Sequence, residues 1–182
     1  SSFLYKILKK IEKLLLTNAD VIVSLTNRAV NEMKKFPYKI SAAFVVIPTC
    51  TDMNLYTPGE RNRVFTLGYI GSTGLWYDFA PVAKVYKTLK DIIPDARLQI
   101  ITRDNSKDIL KHLNGLSDIE IRAASRTETA RIMSKLHACV YFIHPFYSKI
   151  ASAPTKLGEL LSCGVPTITN PGIGDVDTIL KP

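Results

Sequence analysis

From Arg63 to Thr169 the chain repeats one arrangement: a short apolar run, then a segment whose apolar residues recur at helical spacing. "VFTLGYI" leads into "DFAPVAKVYKTLKDII", where Phe79, Val82, Ala83, Tyr86, Leu89 and Ile93 share one face and Pro94 stops the helix. "ARLQIIT" precedes the helix "SKDILKHL", "DIEIRA" precedes "RTETARIMSKL", and "CVYFI" precedes "PTKLGELLS", with "PTIT" as the last strand. Apolar runs without alternation belong to strands covered on both faces, and parallel strands need crossovers long enough to hold a helix. The expected fold is therefore α/β, a Rossmann-like parallel sheet with helices on both faces.

The residues before this alternation read differently. "FLYKILKKIEKLLL" is a basic amphipathic helix, "ADVIVSLT" a short strand ending in a helix cap at Thr26, "NRAVNEMKK" a helix and "AAFVVIP" another strand. "TCTDMNLYTPGERNR" is a linker broken by Pro58 and Gly59. The organisation expected is residues 1–60 as the tail of one domain plus a linker, and residues 61–182 as the Rossmann-like domain. A first residue that is not Met and an ending inside a nascent helix, "DTILKP", lead to the expectation that both ends are cut from a longer protein.

The net charge of +8 raises nucleic acid or an acidic membrane as partners. Five of those excess charges fall before residue 64, around the first helix, which suits an anionic lipid surface or a packed, solvated face. Aromatic and basic residues do not interleave, so nucleic acid is not expected. No run of about 18 apolar residues exists to cross a membrane. Cys50, Cys139 and Cys163 are odd in number and widely spaced, as in reduced cytosolic proteins.

A parallel sheet of this kind binds ligands at the carboxyl ends of its strands, which singles out the loops after Ile70, Ile101, Ile121, Ile143 and Thr169. The first is "GSTG", whose backbone N–H groups suit a phosphate or a tight turn. Arg103 ends the second, free to reach a ligand or to pair with Asp104 or Asp108. In the third, Arg122 and the small Ala123 and Ala124 leave room for a flat ring, while Ser125 and Glu128 form a capping box. The fourth, "HPFYSKIASAPTK", is the longest. It delivers Lys156 into the first turn of a helix, where a cation opposes the helix dipole unless an anion sits there. Glu159 lies one turn on, on the same face, placed for a ribose diol or for Lys156 itself. Asp175 and Asp177 in "DVD" start a helix, and no metal site is expected from them. His112 and His137 fall on expected helices, and His144 borders the long loop.

"SAPTKLGELLSCGVPTIT" resembles the donor-site signature of GT-B glycosyltransferases, the retaining family-four group that uses nucleotide sugars. "ADVIVSLT" is similar to that family's last amino-terminal-domain strand, "VIPTCTDMNLYTP" to its interdomain linker, and "PGIGDVDTIL" to its closing Gly-Gly-x-Pro-Glu segment. The resemblance runs in order from Ala19 to Leu180 and implies the carboxy-terminal, donor-binding half of a GT-B fold.

By position the resemblance implies that Gly71, Ser72, Thr73, Thr155, Lys156 and Leu157 bind the donor diphosphate and Glu159 the ribose. Arg103, Arg122 and Ala123 border the nucleobase, and Ser152, Ala153 and Pro154 form the sugar-side loop. The implied reaction is metal-independent transfer of a sugar from a UDP-, GDP- or ADP-linked donor to a glycan or lipid-linked acceptor, with no cofactor. Any catalytic residue would come from a domain outside this chain, so the chain alone would bind rather than turn over. The implied place is the cytoplasm, with possible peripheral contact at the inner face of the membrane. Two departures from the family pattern are visible: its first glutamate is replaced by Ala151, and Leu75, Trp76 and Tyr77 stand where an Arg and a Lys usually follow the glycine-rich loop. The first of these departures fits a non-catalytic nucleotide-binding module on the same scaffold.

Overall fold

A computed structural model describes residues 2–180 of the 182; residues 1, 181 and 182 lie outside it. The elements in chain order are α1 (Phe3–Asn18), β1 (Val21–Ser24), α2 (Asn27–Met33), β2 (Ala43–Val46), β3 (Thr66–Ile70), α3 (Ala80–Ile92), β4 (Arg97–Ile101), α4 (Ser106–His112), β5 (Ile119–Arg122), α5 (Arg126–Met133), β6 (Ala138–Val140), a 3-10 turn (Tyr147–Ala151), α6 (Thr155–Ser162), β7 (Thr167–Ile168) and α7 (Val176–Ile179). They divide between two compact units. Among the described residues, one holds 2–49, 145–153 and 172–180; the other holds 50–144 and 154–171.

The second unit is built on a five-stranded, all-parallel sheet in the order β5-β4-β3-β6-β7. Its chain starts at β3, steps outward to β4 and β5, then returns past β3 to β6 and β7. Right-handed crossovers in opposite directions place helices on opposite faces, as in a Rossmann-like fold. Every residue of the central strand β3 is buried, which is why "TLGYI" shows no polar alternation. Gly68 is required there because Leu136 packs directly against its backbone, and any Cβ would collide with that side chain. Helix α3 buries Val82, Ala83 and Tyr86 on the sheet. The Tyr86 hydroxyl reaches the carbonyls of Ala96 (3.0 Å) and Ser117 (2.8 Å), fixing the chain just before β4 and β5. Cys139 on β6 and Cys163 after α6 are fully buried, and neither forms a disulfide.

Arg61 is missing from any motif but joins two helix ends. Its guanidinium donates to the carbonyls of Ser134 after α5 (2.7 Å) and of Gly164 (2.6 Å) and Cys163 (3.3 Å) after α6. These are orphan acceptors at the negative ends of helix dipoles. Gly164 ends α6 with φ +65°, the left-handed turn expected of a small-Cys-Gly-x-Pro segment.

In the first unit β1 and β2 pair in parallel, Val21 opposite Ala43 through Ser24 opposite Val46. Thr26 caps α2 by accepting from the Ala29 N–H (3.1 Å) and donates to the Ile150 carbonyl (2.8 Å). Helix α1 turns its apolar residues outward: Phe3, Leu4, Leu8, Leu14 and Leu15 are all more than half exposed. Lys9 and Lys13 on its other side lie over the rings of Phe36 (5.6 Å) and Tyr38 (5.4 Å). Among the described residues no helix is long and apolar enough to cross a membrane.

Two local expectations are corrected, and a third is met in a way the sequence did not show. His137 is not helical; it lies between α5 and β6, where its Nδ1 accepts the Thr66 N–H (3.1 Å) and its ring stacks on Phe65, because the chain must already extend to pair with β3. The capping box before α5 is half made. Ser125 accepts from the Glu128 N–H (3.3 Å), but the Glu128 carboxylate turns to Arg122 (2.5 Å), a charged partner that outcompetes a backbone amide. Asp175 and Asp177 do stand at the start of a helix, α7, but the Asp175 carboxylate makes no cap hydrogen bond to it. That carboxylate accepts from the first N–H groups of α2, Asn27 (2.7 Å) and Arg28 (3.1 Å), while Asp177 pairs with Arg28 (3.1 Å). Burial pushes the Asp175 carboxyl up, but these hydrogen bonds and the Arg28 charge outweigh it and hold the carboxyl below its usual range.

Candidate functional site

The order in which the chain adds strands reverses between β3 and β6, and the loops at the carboxyl ends of those strands open the crevice where such folds bind ligands. The loop after β3 begins at Gly71, with φ +125°, a conformation that side chains strongly disfavour. Space sets a second requirement: a Cβ at this position would stand 2.6 Å from the Lys156 ammonium.

That ammonium is the electrostatic centre of the site. Lys156 sits in the first turn of α6, whose N-terminus no side chain caps. Its Nζ donates to the Ile70 carbonyl (2.7 Å) and lies 4.1 Å from the ring centroid of Tyr77, 4.9 Å from Tyr141 and 5.8 Å from Tyr69. Three aromatic faces and one carbonyl stabilise a cation, yet they replace water incompletely. Burial therefore pulls the Lys156 ammonium down to about 8. Among the described residues no ion pair joins it to Glu159.

Glu159, one turn along α6, is half-buried and faces another group. It meets the hydroxyl of Tyr56, whose ionisation is pushed up first by burial and then by this carboxylate. Arg126, at the start of α5, approaches the same hydroxyl and lies 3.6 Å from Asp52. Gly158 packs so closely on Thr51 that a Cβ there would displace the Thr51 hydroxyl.

Beside the glycine loop lies a groove of about 340 Å³ lined by Gly71, Ser72, Arg103, Asp104 and Ala124. Of the residues expected on the nucleobase side, Arg103 lines this groove and is exposed. Arg122 is instead tied to Glu120 (2.8 Å) and Glu128 (2.5 Å), and Ala124, not Ala123, faces the groove. Ser72 and Thr73 are engaged by Asp104: its Oδ2 accepts from the Thr73 N–H (2.5 Å), the Ser72 hydroxyl (2.8 Å) and the Thr73 hydroxyl (3.1 Å). These bonds, that of the Thr73 amide foremost, hold the Asp104 carboxyl below its usual range. A roomier groove of about 610 Å³ runs past Arg97, Gln99, Asp118 and Glu120, at the amino ends of the strands, away from every loop that a parallel sheet uses for ligands.

The loop from Leu75 to Tyr77 closes against the strand end after β6. His144 N–H donates to the Trp76 carbonyl (2.9 Å), and Asp78 N–H donates to the Phe142 carbonyl (3.0 Å). Ser152 and Ala153 belong to the first unit, and Pro154 with Thr155, Lys156 and Leu157 to the second. In the first unit Ala153 accepts from the Thr49 hydroxyl (3.0 Å), and Ala151 ends the 3-10 turn, exposed. Among the described residues no three His, Cys, Asp or Glu side chains converge as metal ligands do.

The spacing of the sequence singled out Lys156, Glu159 and the glycine loop. It did not reveal Tyr69, Tyr77 and Tyr141, because three separate segments supply them, nor Tyr56 behind Glu159, nor the grip of Asp104 on a loop 31 residues earlier.

No protein-family model matches the chain, and no curated protein matches it in sequence. Solved structures do match in fold. A mutant of TarM from S. aureus, crystallised with fondaparinux, alpha-GlcNAc-glycerol and UDP, superposes with a TM-score of 0.67 at 15% identity, over 94% of this chain and 35% of that one. A GtfA/B complex gives 0.70 at 13% identity, over 97% and 34%. The pneumococcal O-GlcNAc transferase GtfA, crystallised with UDP and GlcNAc, gives 0.65 at 17% identity, over 88% and 33%. The chain thus spans about a third of the length of these proteins. Together with the parallel sheet and its order, this likeness establishes that the chain has the fold of part of a GT-B glycosyltransferase.

Proposed function

We propose that this chain is the donor-binding portion of a glycosyltransferase of the retaining, family-four type, taking a nucleoside-diphosphate sugar. The observation that carries the reading is Lys156. A cation stands in the first turn of an uncapped helix, against the dipole, at the carboxyl end of the central strand and directly beneath the glycine loop. Such an arrangement is costly alone and favourable once an anion arrives, because the anion meets the ammonium and the amides of Thr155 and Leu157 together. Lys156 and these amides would hold the diphosphate with Gly71, Ser72 and Thr73, and would stabilise the departing nucleoside diphosphate during sugar transfer without a metal.

Glu159 would accept the ribose hydroxyls, held in place by the Tyr56 hydroxyl at its back. Arg103 would border the nucleobase in the groove beside the loop, with Arg122 acting through its carboxylate partners and Ala123 at the edge. Ser152, Ala153 and Pro154 would face the sugar, and the acceptor would be a glycan or a lipid-linked glycan. The neighbours crystallised with UDP make uracil the first base to test. The exposed alanine at position 151 favours one second reading, a nucleotide-binding module that does no chemistry.

The experiment is a calorimetric titration of the chain with UDP, GDP and ADP, repeated on Glu159→Ala and Lys156→Ala. Saturable binding of one nucleotide, lost in both variants, is the expected result. A folded chain that binds none of the three would refute the donor-site reading.

A further inference from the structure

The glycine loop already grips an anion, and the anion belongs to the chain. Asp104 lies on the loop after β4, yet a single oxygen of its carboxylate takes three hydrogen bonds from the loop after β3: the Thr73 N–H (2.5 Å), the Ser72 hydroxyl (2.8 Å) and the Thr73 hydroxyl (3.1 Å). A backbone amide flanked by small hydroxyls is the donor set by which a strand-to-helix turn holds a phosphate oxygen. The rest of the loop is anchored from within. The Gly71 N–H donates to the Ile101 carbonyl (2.9 Å), and the Tyr69 hydroxyl donates to the Ser72 carbonyl (2.5 Å). The residues that supply those anchors, Tyr69 and Ile101, are buried, whereas Asp104 is exposed and lines the groove.

We propose that Asp104 is a built-in competitor for this loop: its carboxylate occupies the donors that a phosphate oxygen of the ligand uses, and the ligand enters by exchange with it. The proposal rests on the donor-site reading given above. It follows from charge as well as from space. A carboxylate and a phosphate repel at this distance, and one amide N–H cannot serve both. Only a ligand bringing its own negative charge gains from the exchange, because a neutral group offers the loop a weaker acceptor than the carboxylate it must displace. Asp104 thereby weakens the binding of a phosphate-bearing ligand and leaves a nucleoside without phosphates, which does not use these donors, unaffected.

The test is calorimetric titration of UDP and of uridine into the chain, into Asp104→Asn and Asp104→Ala, and into Glu159→Ala, with circular dichroism melts to confirm that each variant folds. Asp104→Asn keeps the shape of the side chain and removes its charge, so it decides the matter where the alanine variant does not fold. The expected result is UDP binding tightened roughly ten-fold in the Asp104 variants, the order expected when a competing charge-assisted acceptor is removed, with uridine binding unchanged. If UDP binding is unchanged or weakened in the Asp104 variants and still lost in Glu159→Ala, Asp104 organises the loop and the exchange is refuted while the donor site stands. If UDP and uridine gain equally, the effect is not one of charge and the exchange is likewise refuted. If another of the three nucleotides is the one bound, it and its nucleoside take the place of UDP and uridine; if no folded form binds UDP, GDP or ADP, both readings fall.

Discussion

Replacing Lys156 with Met should remove a pH dependence that is written into the fold. The ammonium is enclosed by Tyr69, Tyr77 and Tyr141, and burial pulls it from its ordinary 10.5 down to about 8. That drop corresponds to about 3 kcal/mol of preference for the neutral amine in the folded state. The unfolded chain keeps this proton up to about pH 10.5, whereas the folded chain releases it near 8. Between those values the unfolded state binds more protons, so stability rises with pH; below pH 8 the full penalty stands. Met has a similar length and no charge, so the variant should lack this term. Urea unfolding of both proteins at half-unit intervals from pH 7 to 10 measures the difference directly, and titrations common to the two chains cancel. Wild type should gain about 2–3 kcal/mol on the variant across that range. A difference that stays flat with pH would show that the tyrosine rings and the Ile70 carbonyl solvate the cation as well as water does. The same variant must fail to bind UDP if the lysine serves a diphosphate.

Two further outcomes follow from the packing of the sheet unit. Arg61→Ala should lower stability by about 1–3 kcal/mol, since it orphans carbonyls at the ends of both α5 and α6; thermal unfolding measures this, and Arg61→Lys should recover only part of it because one ammonium cannot span both ends. Gly68→Ala should cost about 1–3 kcal/mol by forcing Leu136 off its seat, and Gly68→Ala combined with Leu136→Val should recover part of the loss in the same assay.

The parallel sheet was legible chiefly through its central strands, whose burial on both faces suppresses polar alternation, whereas the edge strand β5, IEIR, is only part-buried and alternates. "TLGYI" is the clearest case, buried at every residue. The start of α6 was legible for a different reason: a lysine against a helix dipole is a local conflict, and such conflicts mark sites. What remained hidden was whatever depends on partners distant in the chain. Lys156 and Glu159 share a helix face but look to different neighbours, the tyrosine enclosure and Tyr56, and no helical spacing encodes that. Asp175 stands at the start of its own helix, as expected, yet its carboxylate serves α2, nearly 150 residues earlier, because a carboxylate binds whichever free N–H groups the fold presents. Glu128 matched the capping pattern but was claimed by Arg122, whose place on β5 only the folded sheet defines. His137 continued a helical rhythm that the need to pair beside β3 cut short.

The three thiols form a built-in clock for the opening of the sheet unit. Cys139 lies in the middle of the sheet and Cys163 at the far end of α6, both shielded completely, while Cys50 is exposed. Burial pushes the Cys139 thiol up to about 12, so the reactive thiolate is scarce even when a reagent arrives. An alkylating reagent should therefore mark Cys50 within moments and the other two only through excursions that expose them. If Cys163 is marked before Cys139, the helix that carries Lys156 and Glu159 detaches while the strands stay paired, and the labelling rates rank the two motions without any spectroscopic probe.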